Sequence, residues 1–213
     1  MPKLHSTTGS LFIISAPSGA GKTSLINALL AACPQLTVSI SHTTRPARPG
    51  EEDKVHYHFV SKAEFQQLLT DDSFLECAEV FGHWYGTSQQ AVTDQLASGK
   101  HVILEIDWQG AQQIRRHFNN AISLFILPPS LETLKHRLIS RNQDQAEVIA
   151  RRLAEARNEI SHFSEYDYLI VNDDFDQALR ELLAIITASE LTTPLQTLQH
   201  QALLNSLLAN ASE

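Results

Sequence analysis

Short apolar runs recur along the chain and are separated by longer stretches with helical periodicity. Five of the runs have the length of β-strands, and several lack polar alternation, which is typical of strands buried on both faces. They lie at residues 11–15, 36–40, 101–106, 121–127 and 168–171. Helical patterns fill the intervals at residues 22–32, 61–69, 88–97, 109–118, 130–140, 146–162 and 175–188. Strands that alternate with helices predict an α/β fold with a mainly parallel sheet and helices on both faces.

Two of the predicted helices begin with the residue pattern of a capping box. Ser61 precedes Glu64 by three positions, and Asp174 precedes Gln177 by three. In a capping box each of the two side chains accepts a hydrogen bond from the backbone N–H of the other residue, which satisfies donors at the start of the helix. We therefore expect helices to begin beside Ser61 and Asp174.

Residues 41–86 break the alternation of strands and helices. This region contains Pro46, Pro49 and Gly50, followed by an alternating segment at residues 56–60. The pattern predicts a small, partly β insertion, and insertions at strand ends are where α/β proteins carry their sites. We therefore divide the chain into an insertion at residues 41–87 and a discontinuous core at residues 1–40, 88–136 and 160–190.

The segment at residues 191–213 has a helical composition and is rich in leucine, with Pro194 near its start. A helix with such an apolar face has to bury it against something. Packing against the chain's own core and contact with a second copy of the chain, in a homo-oligomer, are both open alternatives.

The balance of charge limits the partners. The chain has 213 residues and a net charge of −8, which argues against nucleic-acid polymers and anionic membranes as partners. A bound anion therefore has to meet a local cluster of positive charge. The two cysteines, Cys33 and Cys77, suggest neither a disulfide framework nor a zinc site, and we see no secretory signal and no apolar run that could span a bilayer. We expect a cytoplasmic protein.

A phosphate-binding loop follows the first predicted strand. Small residues let consecutive backbone N–H groups point at phosphate oxygens, and the helix that follows adds a partial positive charge. Lys22 would reach the outer phosphates, Thr23 would bind Mg²⁺, and Ala16 replaces the first glycine of the usual motif, which requires a negative φ at that residue. The loop consists of Ala16, Pro17, Ser18, Gly19, Ala20, Gly21, Lys22 and Thr23.

Two carboxylates follow the strand predicted at residues 101–106. Glu105 and Asp107 stand where P-loop enzymes hold Mg²⁺, often through water. Many buried strands also end in Asp because that residue caps the next helix, so this alternative remains open for Asp107.

The insertion carries two arginines in a segment stiffened by proline. Arg45 and Arg48 are three positions apart, and Tyr57 and Tyr85 follow in strand-like pieces. Fixed guanidinium groups and phenol hydroxyls favour a compact dianion such as a phosphate monoester. The alternative is a solvated basic loop.

Taken together, these segments resemble the guanylate kinase family over nearly the whole chain. The resemblance rests on residues 16–23, 41–51, 74–76, 85–87, 106–110 and 170–174. It implies ATP-dependent phosphorylation of GMP, and of dGMP, by a P-loop fold with a GMP-binding insertion. It also implies that Arg45, Arg48, Tyr57 and Tyr85 hold the GMP phosphate, while the guanine is surrounded by Ser41, Glu76, Thr87, Glu105 and Asp107. The family usually has Asp at the position of Glu105.

The same resemblance implies a helical lid at residues 137–159. Its phosphate-facing arginines correspond to Arg137, Arg141 and Arg152, and Asn142 stands where the family usually has glycine. Asn172 corresponds to the segment on the adenine side of the ATP site. We interpret the neighbouring Arg151 and Arg157 as solvent-exposed charges, and the two tryptophans, Trp84 and Trp108, as structural.

The hydrogen-bonding groups of guanine agree with recognition of the base by an acidic side chain. Guanine presents two kinds of donor, N1–H and N2–H₂, and an ionised Glu76 can accept from both. Adenine has an acceptor at N1, so a buried carboxylate there would reject AMP.

Two other kinds of function remain open. Guanylate-kinase-like domains of membrane-associated scaffolds bind phosphopeptides without catalysis, and Lys22 within an intact loop argues against that class. A P-loop kinase acting on a sugar phosphate is the second alternative, and Glu76 and Thr87 argue against it.

Overall fold

The computed structural model describes residues 9–141 and 146–209, with the backbone alone described at 141 and 146–148. Its strands are β1 (Leu11–Ser15), β2 (Leu36–Val38), β3 (His42–Thr43), β4 (His58–Phe59), β5 (Phe74–Val80), β6 (His83–Ser88), β7 (His101–Glu105), β8 (Ile122–Leu127) and β9 (Tyr168–Val171). Its helices are α1 (Lys22–Ala32), α2 (Lys62–Thr70), α3 (Gln89–Ala97), α4 (Trp108–His117), α5 (Leu131–Arg141), α6 (Ala146–Ser161), α7 (Phe175–Glu190), α8 (Thr193–Gln199) and α9 (Gln201–Ala209), with a short 3-10 helix at Phe163–Glu165.

The main sheet has five parallel strands in the order β2-β7-β1-β8-β9. All five residues of the central strand β1 are buried, as expected for a strand with neighbours on both edges and helices on both faces. Ile13 pairs with Leu104 of β7 on one side and with Ser123 of β8 on the other. The α/β fold predicted from the sequence is confirmed.

Helices cover both faces of the main sheet because successive residues of β1 point in opposite directions. Phe12 belongs to the apolar cluster that also contains Leu25 of α1 and Leu182 of α7. Ile13 belongs to a second cluster, with Val92 of α3 and Ile114 of α4. The carboxyl end of β1 is thereby held rigidly in the middle of three layers, and this end leads into the glycine loop.

The insertion contains a second, smaller sheet in the order β4-β3-β6-β5. It is mixed, since β3 runs parallel to β4 and antiparallel to β6. The predicted partly β character is confirmed, but the alternating segment at residues 56–60 contributes only the two-residue strand β4. Helix α2 also lies in this region, and its capping box between Ser61 and Glu64 is present in both directions.

Several predicted boundaries need correction. The strand predicted at residues 36–40 ends at Val38, and the helix predicted from residue 109 begins at Trp108. At the start of α7, Asp174 accepts from the backbone N–H of Gln177, but the return half of the predicted capping box is missing. The Gln177 side chain instead donates to Glu181 and accepts from Arg180, because both lie beside it on the same helix face.

The tail forms helices α8 and α9 and leaves its leucines in solvent. Pro194 lies in the first turn of α8, where a backbone N–H is not needed. The described part of the tail has no buried residue in either helix. Five leucines of the tail are between 53% and 71% exposed: Leu191, Leu198, Leu203, Leu207 and Leu208. Among the described residues, no helix is long and apolar enough to cross a membrane.

Candidate functional site

A cleft of about 610 Å³ opens between the glycine loop after β1 and the small sheet of the insertion. Both sheets direct side chains into it, because the loops at the carboxyl ends of β1 and β7 face the strands of the insertion. Fifteen of the residues predicted for the site line this cleft: Ala16, Pro17, Ser18, Gly19, Gly21, Lys22, Thr23, Ser41, Arg45, Arg48, Tyr57, Glu76, Tyr85, Glu105 and Asp107.

The glycine loop has the backbone that its sequence requires. Gly19 and Gly21 have φ values of 93° and 95°, a region in which side chains are strained. Among the described residues other than glycine, positive φ occurs at Lys54, Asp72 and Phe81, and therefore not at Ala16. The replacement of the first motif glycine by Ala16 is thus compatible with the loop, because Ala16 does not have a positive φ.

Asn172 lies under the loop. Its side chain is buried and donates from Nδ2 to the backbone oxygen of Ala20 at 2.7 Å. Arg137 of α5 donates to the same oxygen at 3.3 Å and to the backbone oxygen of Asn172 at 3.4 Å. These bonds tie the loop to α5 and to the end of β9, so Asn172 supports the loop from behind.

A cation and two oxygen ligands meet at the start of α1. Thr23 donates from Oγ1 to Oε1 of Glu105 at 2.9 Å, and the Lys22 ammonium lies 3.8 Å from the same carboxylate oxygen. Hydroxyl and carboxylate oxygens are ligands that Mg²⁺ prefers. The described residues contain no cluster of three or more His, Cys, Asp or Glu able to hold a metal, so a magnesium ion here would take its remaining ligands from phosphate or water oxygens.

Asp107 was predicted as a metal ligand, but its carboxylate already has two partners. Its Oδ1 accepts from the backbone N–H of Gly110 at 3.0 Å, which makes Asp107 the N-cap of α4, and its Oδ2 accepts from Gln109 at 2.9 Å. Glu105 therefore lies beside Thr23. Asp107 makes the helix-capping bonds that were its alternative interpretation in the sequence.

Arg45 is nearly buried and is fixed from several sides. Its guanidinium donates two bonds of 2.9 Å to the carboxylate of Glu51 and one of 2.8 Å to the backbone oxygen of Pro46. The Tyr57 ring lies 5.4 Å from the guanidinium carbon. The hydrogen bonds to Glu51 help to raise the pKa of Arg45, and Arg45 in turn lowers the pKa of Glu51. Glu51 was not predicted as a site residue, because its six-residue spacing from Arg45 follows no helix or strand period.

Two phenols lie beside this arginine. The rings of Tyr57 and Tyr85 meet edge to face with their centres 5.9 Å apart. Burial raises the pKa of Tyr57 to about 12, so its hydroxyl is neutral near pH 7. A neutral phenol can donate to an anion, as the prediction of a phosphate site requires.

Glu76 of β5 is a carboxylate 4% exposed to solvent. Thr87 donates a hydrogen bond to it, and the hydroxyl oxygens of Thr87 and Ser41 are 3.5 Å apart. Burial, helped by the charge of Asp107 and opposed by the Thr87 bond, raises the pKa of Glu76 to about 7. A Cβ atom at Gly110 would overlap Oε2 of Glu76, so a side chain there would displace the carboxylate.

A second carboxylate with a raised pKa, the half-buried Glu159 of α6, faces the glycine loop and was not predicted. Burial raises its pKa to about 7, while Lys22 and the backbone N–H of Ser18 act in the opposite direction. Its Oε2 is buried without a hydrogen-bond partner. The available signal was its position three residues after the buried Ala156, on the inner face of the helix.

The remaining predicted residues lie outside the cleft lining. Thr87 and Ala20 lie just behind it, through their contacts with Glu76 and Asn172. Arg152 lies on α6 and is partly buried. The side chain of Arg141, and Asn142 with it, lie outside the described residues.

Comparisons with known proteins agree with this geometry. A family model described as guanylate kinase matches residues 8–189. Guanylate kinases of Pseudoalteromonas translucida and Photobacterium profundum are 57% and 59% identical to this chain, over 95% and 94% of it and 98% of each relative. The crystal structure of guanylate kinase from Anaplasma phagocytophilum is 34% identical, with a TM-score of 0.74 over 88% of this chain and 89% of that one.

The buried Glu76 should lower stability in the ligand-free protein at high pH. Because its pKa in the folded state, about 7, lies above the ordinary value of 4.5, its contribution is most favourable below pH 4.5 and is lost as the pH rises through 7. We expect Glu76→Gln to stabilise the free protein by roughly 1–3 kcal/mol at pH 8 and by little at pH 5. Urea unfolding at the two pH values measures this difference, and equal effects at both would contradict it.

Proposed function

We propose a residue-level account of phosphoryl transfer for this chain, which belongs to the guanylate kinase family. It is an enzyme that phosphorylates GMP to GDP and uses ATP. The observation that carries the account is that one cleft has the Lys22 loop at one end and the buried Arg45 and Glu76 at the other. Two nucleotides bound at these ends would meet phosphate to phosphate.

Glu76 reads the guanine. Its carboxylate, when ionised, accepts from N1–H and N2–H₂, and Ser41 and Thr87 lie beside it as further polar groups. A carboxylate with a raised pKa has too few hydrogen-bond donors around its charged form in the free protein, and a ligand with two donors supplies them. Deoxy-GMP carries the same base and phosphate, so we extend the proposal to it.

Arg45, Arg48, Tyr57 and Tyr85 hold the GMP phosphate. Glu51 supports this role by fixing the Arg45 guanidinium before the substrate arrives, which reduces the ordering needed on binding. Arg45 keeps a buried Nε–H without a hydrogen-bond partner, so it retains an unused donor.

The glycine loop holds the ATP phosphates. Its backbone N–H groups, Lys22 and the start of α1 bind the β- and γ-phosphates, while Asn172 keeps the loop in shape from behind. Thr23 and Glu105 would hold Mg²⁺, which supplies positive charge against the phosphate oxygens when bound. Asp107 supports the site as the cap of α4, next to the proposed metal position.

No protein base is needed for the reaction. A phosphate monoester with a second pKa near about 6 is mostly dianionic at pH 7, so the GMP phosphate is its own nucleophile. The obstacles are repulsion between two polyanions and attack by water. Lys22 and Arg45 reduce the repulsion from opposite ends of the cleft.

The lid at residues 137–159 completes the site. Arg137, Arg141 and Arg152 add positive charge to the in-line transition state, and closure of the lid excludes water. Arg137 already contacts the glycine loop through Ala20, which supports this assignment.

The insertion at residues 41–87 and the core at residues 1–40, 88–136 and 160–190 keep the boundaries proposed for them.

The tail, residues 191–213, forms a contact between copies of the chain. Its described part contains no Asp, Glu, Lys or Arg, although the whole chain carries a charge of −8. A neutral, leucine-rich surface is where an acidic protein can approach its own copy with least repulsion.

A cytoplasmic location is also part of the proposal, supported by the free thiols of Cys33 and Cys77.

Lys22→Ala should lower turnover by orders of magnitude while GMP binding stays largely intact, because Lys22 offsets charge on the transferring phosphoryl group. Steady-state kinetics measures turnover, and calorimetric titration measures GMP affinity. Lys62→Ala, which removes an exposed lysine of α2, is the matched control. Near-normal turnover in Lys22→Ala would remove this residue from the mechanism.

Glu76→Gln should lower kcat/KM for GMP by the equivalent of about 1–3 kcal/mol and relax the exclusion of AMP, because the amide offers one acceptor and one donor. Assays with GMP and AMP measure both effects. Glu79→Gln changes an exposed carboxylate of the same strand and should leave both unchanged. Unchanged use of GMP with AMP still excluded would show that Glu76 does not read the base.

Removal of the residues after Thr192 should leave the fold and GMP phosphorylation but abolish assembly, because the central apolar clusters contain no residue of α8 or α9. Light scattering at micromolar concentration measures the mass of both forms. A full-length protein that is already monomeric there would contradict the proposed contact.

A further inference from the structure

The segment that follows the lid helix is fixed to one face of α4. His162, directly after the last residue of α6, stacks on Trp108 with ring centres 3.7 Å apart and planes within 6°. Glu165 is 2.6 Å from Nδ1 of the same histidine, and it accepts from Gln112 at 3.0 Å and from Arg115 at 2.7 Å. Trp108, Gln112 and Arg115 are spaced four and three residues apart, so they form a single stripe on the helix.

The other face of α4 holds the strand that carries Glu76. Gln113 accepts from the backbone N–H of Cys77 at 3.1 Å and donates to its backbone oxygen at 2.8 Å. Gly110 packs directly against the Glu76 carboxylate. The residue after Glu76 and the carboxylate itself are thus both in contact with α4.

Helix α4 is therefore shared between two parts of the site that the chain separates widely. One stripe holds the segment that directly follows the lid, at His162 and Glu165, and the other face holds the strand that carries Glu76. The helix is short, at ten residues, and it is capped by Asp107, so a displacement of one face moves the other. Charge-assisted bonds such as the Arg115–Glu165 pair resist sliding between the segments.

We propose that α4 couples acceptor binding to lid closure, with Trp108, His162, Glu165 and Arg115 as positioning residues that transmit the movement. This inference rests on the assignment of Glu76 to the guanine and of residues 137–159 to the lid. It adds a route by which an occupied base site favours binding at the ATP end. Trp108 thereby has a function that its sequence context does not indicate.

The experiment measures coupling directly, since contact through a helix is not by itself proof of coupling. The dissociation constant of a non-hydrolysable ATP analogue is determined by calorimetry without GMP and with saturating GMP. In the wild type we expect GMP to tighten binding of the analogue by roughly 5- to 150-fold. His162→Ala and Arg115→Gln should bring this factor to within about twofold of one while leaving the affinity for GMP alone unchanged.

Arg116→Gln is the matched control, because this neighbouring arginine is exposed on α4. It should keep the coupling of the wild type. Retained coupling in both His162→Ala and Arg115→Gln, or a wild type without coupling, would overturn the inference. A purely structural role would lower the unfolding midpoint and leave the coupling intact, which also overturns it. Absence of any GMP binding would instead contradict the proposed function.

Discussion

Repulsion between phosphates is the constraint on which the rest of this structure depends. A chain with a net charge of −8 has to bring two polyanions into one cleft. Cations from separate elements lie around this cleft: Lys22 at the start of α1, Arg45 in the insertion and, against the glycine loop, Arg137 of α5. Arg45 is held before any substrate arrives by a bidentate bond to Glu51, so little freedom is lost when an anion binds.

The site also contains two carboxylates whose charged forms are disfavoured by burial. Glu76 and Glu159 both have pKa values raised by burial to about 7, so each is partly uncharged at neutral pH in the free protein. An unsatisfied buried carboxylate destabilises the fold, and a ligand that donates to it recovers that free energy on binding. Under the proposed assignment, the guanine edge is such a ligand for Glu76. The free enzyme would then be less stable than it could be, because the binding energy would depend on a carboxylate buried away from water.

Much of the fold and part of the site followed from local patterns. The unbroken apolar run of β1 predicted a strand buried on both faces, and all five of its residues are buried. Helix capping by Asp107 was one of two open alternatives for that residue, whereas Glu51, Glu159 and the support that Asn172 gives to the loop could not be predicted in this way. Their partners are brought close by the tertiary fold, and no helical or strand period links them in the sequence.

Helix α4 shows why such contacts matter for function. A periodicity argument assigns its apolar residues to the core and its polar residues to solvent. In the structure its polar residues Gln112, Gln113 and Arg115 instead bind other elements, on two different faces. A helix held by hydrogen bonds on both sides can move as a unit between two arrangements. A helix held by apolar packing alone has fewer directional contacts through which a displacement can be transmitted. Under the proposed coupling, the polar residues of α4 connect the strand of Glu76 to the segment that follows the lid.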